Sequence, residues 1–164
     1  CVFSAQKKLN IPPEQRGLGF VFQDFALWPH MNVYENVAFG LRAANRTDGL
    51  DKKVRDALHA VRLDDFADRF PHQLSGGQQQ RVAVARSLIN NPGILLADEP
   101  TGNLDSTTSK EVLHMFKDLN RQKGITVILV THDPKIAAFT DRAINMEDGL
   151  ICEGISDKLS KEDV

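Results

Sequence analysis

The sequence predicts an α/β fold in which a parallel sheet carries a helical insertion. Two continuous apolar runs, Ile94–Ala97 and Ile125–Val130, are typical of parallel strands that are covered on both faces. The segment between them, Ser106–Lys123, has apolar residues at helical spacing, so strand, helix and strand follow one another as in a right-handed crossover. A third run, Gly19–Phe22, predicts a short buried strand earlier in the chain.

Three helices are predicted between the first and second strands, after an exposed loop over Asp24–Asn32. Val33–Ala43 and Asp51–Arg62 each carry apolar residues at helical spacing. Ser75 is expected to cap the third helix, which has glycines in its first turn and continues through Gln78–Ile89. The helical region therefore has a strand on each side.

Only short elements are predicted after the last strand of the sheet. Pro134–Thr140 has the pattern of a short helix. A final pair of strands, Ala143–Met146 and Leu150–Glu153, is expected to turn at Asp148-Gly149.

The composition is that of one soluble domain. The 164 residues carry a net charge of -2, with acidic and basic residues interspersed, so nothing indicates binding to nucleic acid or to an anionic membrane. The apolar runs are strand-sized, whereas a helix that spans a bilayer needs about 20 residues. Cys1 and Cys152 form neither a metal-binding spacing nor a disulfide framework, which favours a reducing, cytosolic compartment. Any membrane association is therefore expected to need a partner.

A candidate anion site lies at the start of the third helix. Ser75, Gly76 and Gly77 precede Gln78 there, so free backbone N–H groups and the positive end of the helix dipole lie among small residues. This arrangement favours an anion such as a nucleotide phosphate. Taken alone, the same residues are also common as a simple helix cap with flexible glycines.

Polar residues also follow two of the predicted strands. Asp98 comes at a strand end, where α/β sheets place ligand-binding groups, and a carboxylate there can hold Mg²⁺ through its waters. Glu99 is beside it, in position to act on water. His132 follows the next strand, and its imidazole can donate to a phosphate while it bonds a second group. Taken singly, such residues more often form an exposed turn or a surface histidine.

Together these segments resemble the ATP-binding subunit of an ABC transporter. The resemblance rests on Leu74-Ser75-Gly76-Gly77-Gln78, on Asp98-Glu99-Pro100 and on Thr131-His132-Asp133, and it extends from about Gly17 to Gly154. It implies a P-loop NTPase-like parallel sheet core with an inserted α-helical signature subdomain. The implied divisions are residues 1–32 for the Q-loop strand and loop, 33–91 for the helical signature subdomain, 92–154 for the Walker B to H-loop α/β core and 155–164 for a C-terminal tail.

The resemblance also implies a role in ATP hydrolysis for each candidate residue. Glu99 corresponds to the catalytic carboxylate that polarises the attacking water, and His132 to the switch histidine that contacts the γ-phosphate. Asp98 corresponds to the Walker B magnesium residue, and Gln23 to the Q-loop glutamine, which can touch Mg²⁺ or water. Asp105 is similar to the D-loop aspartate, which works across a dimer.

Two kinds of partner are implied by the same resemblance. The signature segment, Ser75–Gln78, would close on ATP held by a second ATPase subunit, so that hydrolysis needs a dimer. Transmembrane permease subunits would dock on the loop after Gln23, where Phe25 and Trp28 are the candidate contacts. The alternative is that these aromatic residues only pack the loop onto its own helices. The subunit would be peripheral on the cytoplasmic face of the membrane, with no nucleic-acid partner.

One part of the family pattern is missing, because the sequence contains no Gly-x-x-x-x-Gly-Lys-Ser/Thr phosphate loop. The resemblance places the strand that precedes this loop centrally, between the strand that ends at His132 and the one near Ile144. Its absence would leave two unpaired strand edges. We therefore expect a truncated chain that alone neither binds ATP tightly nor hydrolyses it. The alternative to truncation is that Cys1 is a mature N-terminal cysteine that carries a lipid.

Other functions stay open on the sequence alone. ABC-type ATPases also serve DNA repair and translation, although those normally interrupt or duplicate the domain. The chain could also be catalytically inert, and dock a membrane subunit or supply its signature segment to an intact partner. The direction of transport is open as well, since Pro12–Arg16 and Ala26–Arg42 resemble importer ATPases, whereas Asp98–Ser106 resembles ATPases of lipoprotein-release and macrolide-export systems.

Overall fold

A three-stranded parallel sheet lies at the centre of the fold, with helices packed against it. The computed structural model describes residues 3, 4, 6 and 8–152. Its strands and α-helices in chain order are β1 (Phe3–Ser4), β2 (Leu9–Asn10), β3 (Leu18–Val21), α1 (Val33–Ala43), α2 (Leu50–Ala60), α3 (Gly76–Leu88), β4 (Ile94–Asp98), α4 (Ser106–Lys123), β5 (Thr126–Val130), α5 (Pro134–Ala137), β6 (Met146–Glu147) and β7 (Leu150–Ile151).

The strand order of the central sheet is β3, β4, β5, and both pairings are parallel. Val21 lies opposite Ala97, and Ala97 lies opposite Leu129. Helix α4 connects β4 to β5 as a crossover. The predicted α/β class with a parallel sheet is therefore confirmed. All three strands end at the same edge, so the polar residues that follow them are brought to one side of the sheet.

Within the described residues, only one face of this sheet is covered. Gly19 and Val21 are buried on that face, and α3 passes so close that a Cβ on Gly19 would lie 2.7 Å from the backbone oxygen of Ser87. On the other face, Phe20 is 42% exposed and Ile128 is 44% exposed. The prediction that these strands are buried on both faces was therefore wrong for this part of the chain. An apolar run shows that cover is favourable, but it does not identify the element that provides it.

The sheet edge at β5 is open in the described part of the chain, where β5 pairs only with β4. Strands β6 and β7 form a separate antiparallel pair, with Met146 opposite Ile151. Their turn at Asp148 and Gly149 has left-handed φ angles of 48° and 78°. The predicted final strand pair is thus present but shorter than expected, and Glu153 lies outside the described residues. Strands β1 and β2 form another antiparallel pair, which was not predicted.

Local capping signals fix the starts of two of the helices. Asn32 caps α1 by accepting from the Glu35 amide at 2.8 Å, while the Glu35 carboxylate accepts from the Asn32 amide at 3.0 Å. Ser75 and Gln78 cap α3 in the same reciprocal way, which confirms the predicted N-cap. Helices α1 and α4 have the predicted bounds. Helix α5 ends at Ala137, short of the predicted end, because the chain turns after it.

One hydrophobic core joins the helical region to the sheet. Helices α1, α2 and α3 contact one another, and α3 also packs on β3 and α4. Fully buried side chains in this core include Val37, Val54, Val82, Leu95 and Val112. Helix α3 is therefore the element that touches the other helices and the sheet at once.

The ends of the chain are only partly described. Cys1 and the predicted tail, residues 155–164, lie outside the described residues. Cys152 is half-buried, and its thiol is free. None of the described helices has the length and apolar character required to cross a membrane.

Candidate functional site

Glu99 and His132 meet at the edge where the parallel strands end. The carboxylate of Glu99 accepts a hydrogen bond from the His132 backbone N–H at 2.9 Å and from the Thr131 hydroxyl at 3.1 Å. The Nδ1 atom of His132 lies 2.6 Å from the same carboxylate. An ionised carboxylate can only accept, so Nδ1 carries the hydrogen in this pair. The structure thus brings together two site residues that are 33 positions apart in sequence.

The pair is asymmetric in exposure and in charge. Burial raises the pKa of the Glu99 carboxyl, but the hydrogen bonds from His132 and Thr131 outweigh burial, and the pKa lies below its ordinary value. Glu99 is therefore ionised at neutral pH. Its side chain is 17% exposed, whereas that of His132 is 89% exposed. The carboxylate is held in place, and the far side of the imidazole is open to a ligand.

The backbone at Glu99 has a left-handed conformation, with φ of +41°. For a residue with a side chain, this costs on the order of 1–3 kcal/mol and persists only where the surroundings fix it. The Glu99 amide donates to the Val130 carbonyl at 2.9 Å, and the Glu99 carbonyl accepts from Gly102 at 3.0 Å. These contacts hold the turn in which the carboxylate points to Thr131 and His132.

Gln23 lies against the segment that follows Glu99. A Cβ on Gly102 would lie 3.2 Å from the Gln23 side-chain nitrogen, so Gly102 leaves room for that amide. The Gln23 carbonyl accepts from the Asn103 side chain at 3.0 Å. The loop that begins at Gln23 and the loop that begins at Glu99 are therefore in direct contact.

Asp98 ends β4 and is exposed at the same edge. Across the described residues, no three or more His, Cys, Asp or Glu side chains cluster closely enough to hold a metal ion by themselves. A single exposed carboxylate fits Mg²⁺, which keeps several waters and is commonly bound through one or two carboxylates together with substrate phosphates. The donor set therefore fits a magnesium ion that arrives with a nucleotide.

The signature segment lies at the start of α3. The first amides of a helix have no acceptor within it, and the reciprocal cap of α3 occupies those of Ser75 and Gln78. The two glycines pack on the segment after Glu99. A Cβ on Gly76 would lie 3.4 Å from the Leu104 side chain, and one on Gly77 only 2.3 Å from the Thr108 methyl carbon. Gly77 is thus required for the close approach of α3 to α4.

Asp105 is used as the N-cap of α4. Its carboxylate accepts from the Thr108 hydroxyl at 2.6 Å and from the amides of Thr107 and Thr108, both at 3.0 Å. The hydrogen bond from the Thr108 hydroxyl is the main cause that holds the pKa of Asp105 below its ordinary value. Asp105 therefore has a structural role within its own chain.

Phe25 and Trp28 are half-buried rather than prominently exposed. Phe25 packs against the core, and the Trp28 ring lies 4.2 Å from the Phe39 ring. These contacts are the packing that the alternative interpretation predicted.

The more exposed aromatic side chains are Phe20 and Phe22, at 42% and 48%. Phe22, expected in a buried strand, comes just after β3 ends. These groups border a cleft of about 460 Å³, which is lined by Leu18, Gly19, Phe20, Phe22, Ala26, Trp28, Arg86, Ser87 and Asn90.

Arg86 and Asn36 hold the loop in place, and neither was identified from the sequence. Arg86 donates to the carbonyls of Phe25 and Ala26, and its guanidinium lies 4.9 Å from the Trp28 ring centre. Phe25 and Ala26 both have left-handed φ angles, of 62° and 46°. The fully buried Asn36 side chain accepts from the backbone N–H of Trp28 and donates to the backbone carbonyl of Trp28. The sequence did offer one signal for Asn36, which is a polar residue on the apolar face of the predicted helix Val33–Ala43.

The comparisons with known proteins agree on one family. Residues 4–102, more than half of the chain, match the family described as ABC transporter. The spermidine/putrescine import ATP-binding protein of Oleidesulfovibrio alaskensis is 49% identical over 152 residues, which cover 92% of this chain and 41% of that protein. The macrolide export ATP-binding/permease protein of Syntrophobacter fumaroxidans is 48% identical, over 91% of this chain and 22% of that protein.

Solved structures of ATP-binding cassettes have the same fold. A dimeric structure of the cassette MJ0796 in a post-hydrolysis state, bound to ADP and Pi, matches with a TM-score of 0.72 and 40% identity over 91% of this chain and 66% of that one. The structure of cbiO1 from Clostridium perfringens, part of the transporter complex cbiONQ, matches with a TM-score of 0.80 and 33% identity over 88% of this chain and 59% of that one. The chain thus spans about two fifths of the importer relative and under two thirds of either cassette.

Proposed function

This chain belongs to the ABC transporter family, and from that premise we propose that it is part of an ATPase subunit that couples hydrolysis of Mg–ATP to substrate movement by membrane subunits. The observation that carries the proposal is the Glu99 carboxylate, kept ionised and oriented by Thr131 and His132 at the edge where parallel strands end. An ionised, fixed carboxylate is the group that can accept a proton from an attacking water.

In this proposal Glu99 orients and polarises the water that attacks the γ-phosphate. His132 would link Glu99 to the phosphate in its imidazolium form, which donates from Nδ1 to Glu99 and from Nε2 to the phosphate and so would hold the water and the reacting phosphorus at a fixed separation. Asp98 and Gln23 would hold Mg²⁺, which neutralises phosphate charge when bound. The described residues alone, without a phosphate loop in the sequence, are expected to show no ATPase activity.

The signature segment acts on a second subunit in the proposal. Its first-turn amides and helix dipole suit a phosphate that another chain presents. The dimeric cassette with ADP and Pi is similar in fold, and this likeness supports a dimer here as well. Asp105 would contribute to the same dimer interface from its position at the start of α4.

Membrane subunits would dock at the cleft beside the loop that follows Gln23, on the cytoplasmic face of the membrane. Trp28 and the adjoining exposed rings of Phe20 and Phe22 supply apolar surface there, and Phe25 of the same loop packs against the core. Arg86 and Asn36 keep this surface in a defined shape, which a docking site needs.

The proposal is tested with the protein that contains this chain, by Mg²⁺-dependent release of phosphate from ATP. Glu99→Gln keeps the size and loses the charge, so we expect kcat to fall by about 100-fold or more while ATP binding persists. Glu147→Gln makes the same change on the exposed strand β6 and should leave kcat unaltered. Hydrolysis by Glu99→Gln at the wild-type rate would refute the proposed role.

A further inference from the structure

We infer that Gln80 is a positioning residue that holds Glu99 in its active conformation through the Pro100 carbonyl. Gln80 lies on α3, five residues after the helix cap, and none of its surface is exposed to solvent. Its side-chain amide donates to the Pro100 carbonyl at 2.7 Å, across 20 positions of sequence. This inference rests on the proposed function, since it assumes that Glu99 acts on the water.

Glu99 needs such support because its backbone is left-handed. On the side toward β4, the Glu99 amide donates a hydrogen bond to the Val130 carbonyl. On the other side, Pro100 has no N–H, so the segment cannot be anchored there by a backbone donor. The carbonyl is the polar backbone group that Pro100 retains, and it accepts a hydrogen bond from Gln80. A turn of this segment would swing the Glu99 carboxylate away from Thr131 and His132.

The cost of burying Gln80 argues against a role in packing alone. The Gln80 side-chain oxygen and the neighbouring Thr101 hydroxyl are both buried, and within the described part of the chain neither has a hydrogen-bond partner. A buried polar group without a partner is destabilising, so an apolar residue of the same size would suit this position better if stability alone mattered. Within the described residues, the Gln80 side chain makes one hydrogen bond, to Pro100, and an apolar residue would lose it.

The inference also joins the signature helix to the catalytic carboxylate within one subunit. Gly76 packs on Leu104, Gly77 packs on Thr108 and Gln80 bonds Pro100, so three points of α3 contact the segment that follows Glu99. A shift of α3 would therefore move Glu99 unless the Gln80 bond broke.

The test compares ATP hydrolysis by the protein that contains this chain with that of its Gln80→Met variant. Met fills a similar volume but cannot donate, so we expect kcat to fall by up to about 100-fold, as for a misplaced catalytic group. KM for ATP should not change, because Gln80 is fully buried and cannot contact a bound nucleotide directly. Gln122→Met is the matched control, since Gln122 is an exposed residue in the last turn of α4. Its kcat should equal that of the wild type.

A second variant separates the hydrogen bond from packing. In Gln80→Glu, the buried acid can donate to Pro100 only when it is protonated, and burial raises the pKa of such a group. The ratio of its kcat to that of the wild type should rise when the pH is lowered from about 8 to about 6, whereas the ratio for Gln80→Met should stay flat. Circular dichroism at each pH shows that the comparison is made on folded protein.

The outcomes distinguish this inference from the proposed function. If wild-type hydrolysis depends on Glu99 but Gln80→Met keeps the wild-type kcat, the inference is wrong and the proposed function stands. If Gln80→Met does not fold, a kcat ratio for Gln80→Glu that is well below 1 and does not change with pH overturns the inference. If hydrolysis does not depend on Glu99, the proposed function fails and the inference fails with it.

Discussion

Replacing Gly77 with Ala should destabilise the protein by forcing α3 away from α4. The added Cβ would lie 2.3 Å from the Thr108 methyl carbon. Non-bonded carbon atoms prefer a separation of about 3.5–4.0 Å, so the overlap exceeds about 1 Å. Thr108 cannot simply rotate, because its hydroxyl bonds Asp105 at 2.6 Å in the cap of α4. The helix or the cap must therefore move.

The size of the effect follows from two opposed contributions. Overpacking of this kind costs about 1–3 kcal/mol. Alanine is better than glycine in a helix by up to about 1 kcal/mol, and this offsets part of the cost. A net loss of roughly 1–2 kcal/mol corresponds to a Tm that is lower by roughly 2–8 °C.

Thermal unfolding of three variants tests this reasoning. Gly77→Ala should lower the Tm, and adding Thr108→Ser should restore it, because serine lacks the methyl group but keeps the hydroxyl for Asp105. Gly76→Ala is the control, since its Cβ would meet only the end of the Leu104 side chain at 3.4 Å. An unchanged Tm for Gly77→Ala, or no recovery in the double variant, would refute the steric account.

Three further predictions follow from single residues. Folding lowers the pKa of Glu99, so ionised Glu99 stabilises the fold above its unfolded pKa of about 4.3, and this stabilisation is lost as the pH falls through the lower folded pKa. The difference in Tm between the wild type and Glu99→Gln should therefore narrow in acid, and a constant difference would contradict this. Arg86→Lys cannot bond both loop carbonyls, so amide hydrogen exchange at residues 25–28 should quicken while α3 stays protected, and unchanged exchange would argue against the clamp. Asn36→Ala removes the donor to the partly buried carbonyls of Trp28 and Met31, so the free energy of unfolding in urea should fall by about 1–3 kcal/mol, and an unchanged value would contradict this.

The parts of the fold that sequence predicted well depend on local interactions. The starts of α1, α3 and α4 follow from side chains that bond the backbone within three residues. The edge that gathers Glu99 and His132 follows from strand, helix, strand order, because parallel strands end together. The roles of these residues came from the resemblance and not from their spacing.

What the sequence did not reveal depends on contacts between distant segments. The exposure of Phe20 and Phe22 depends on which elements cover the second face of the sheet. A short apolar run in the sequence does not identify those elements. The left-handed conformation of Glu99 and the packing of Gly77 on Thr108 arise only when α3, β4 and α4 are assembled. Such contacts carry no periodic signal along the chain.

The central claim, that Glu99 and His132 act as one catalytic unit, is tested most directly by the kcat of Glu99→Gln, His132→Ala and the double variant in the protein that contains this chain. The two side chains share a hydrogen bond of 2.6 Å, so each single change should disable the same unit. We predict that the double variant loses no more activity than the worse single variant, because effects within a unit are not additive. Losses that multiply in the double variant would contradict the account.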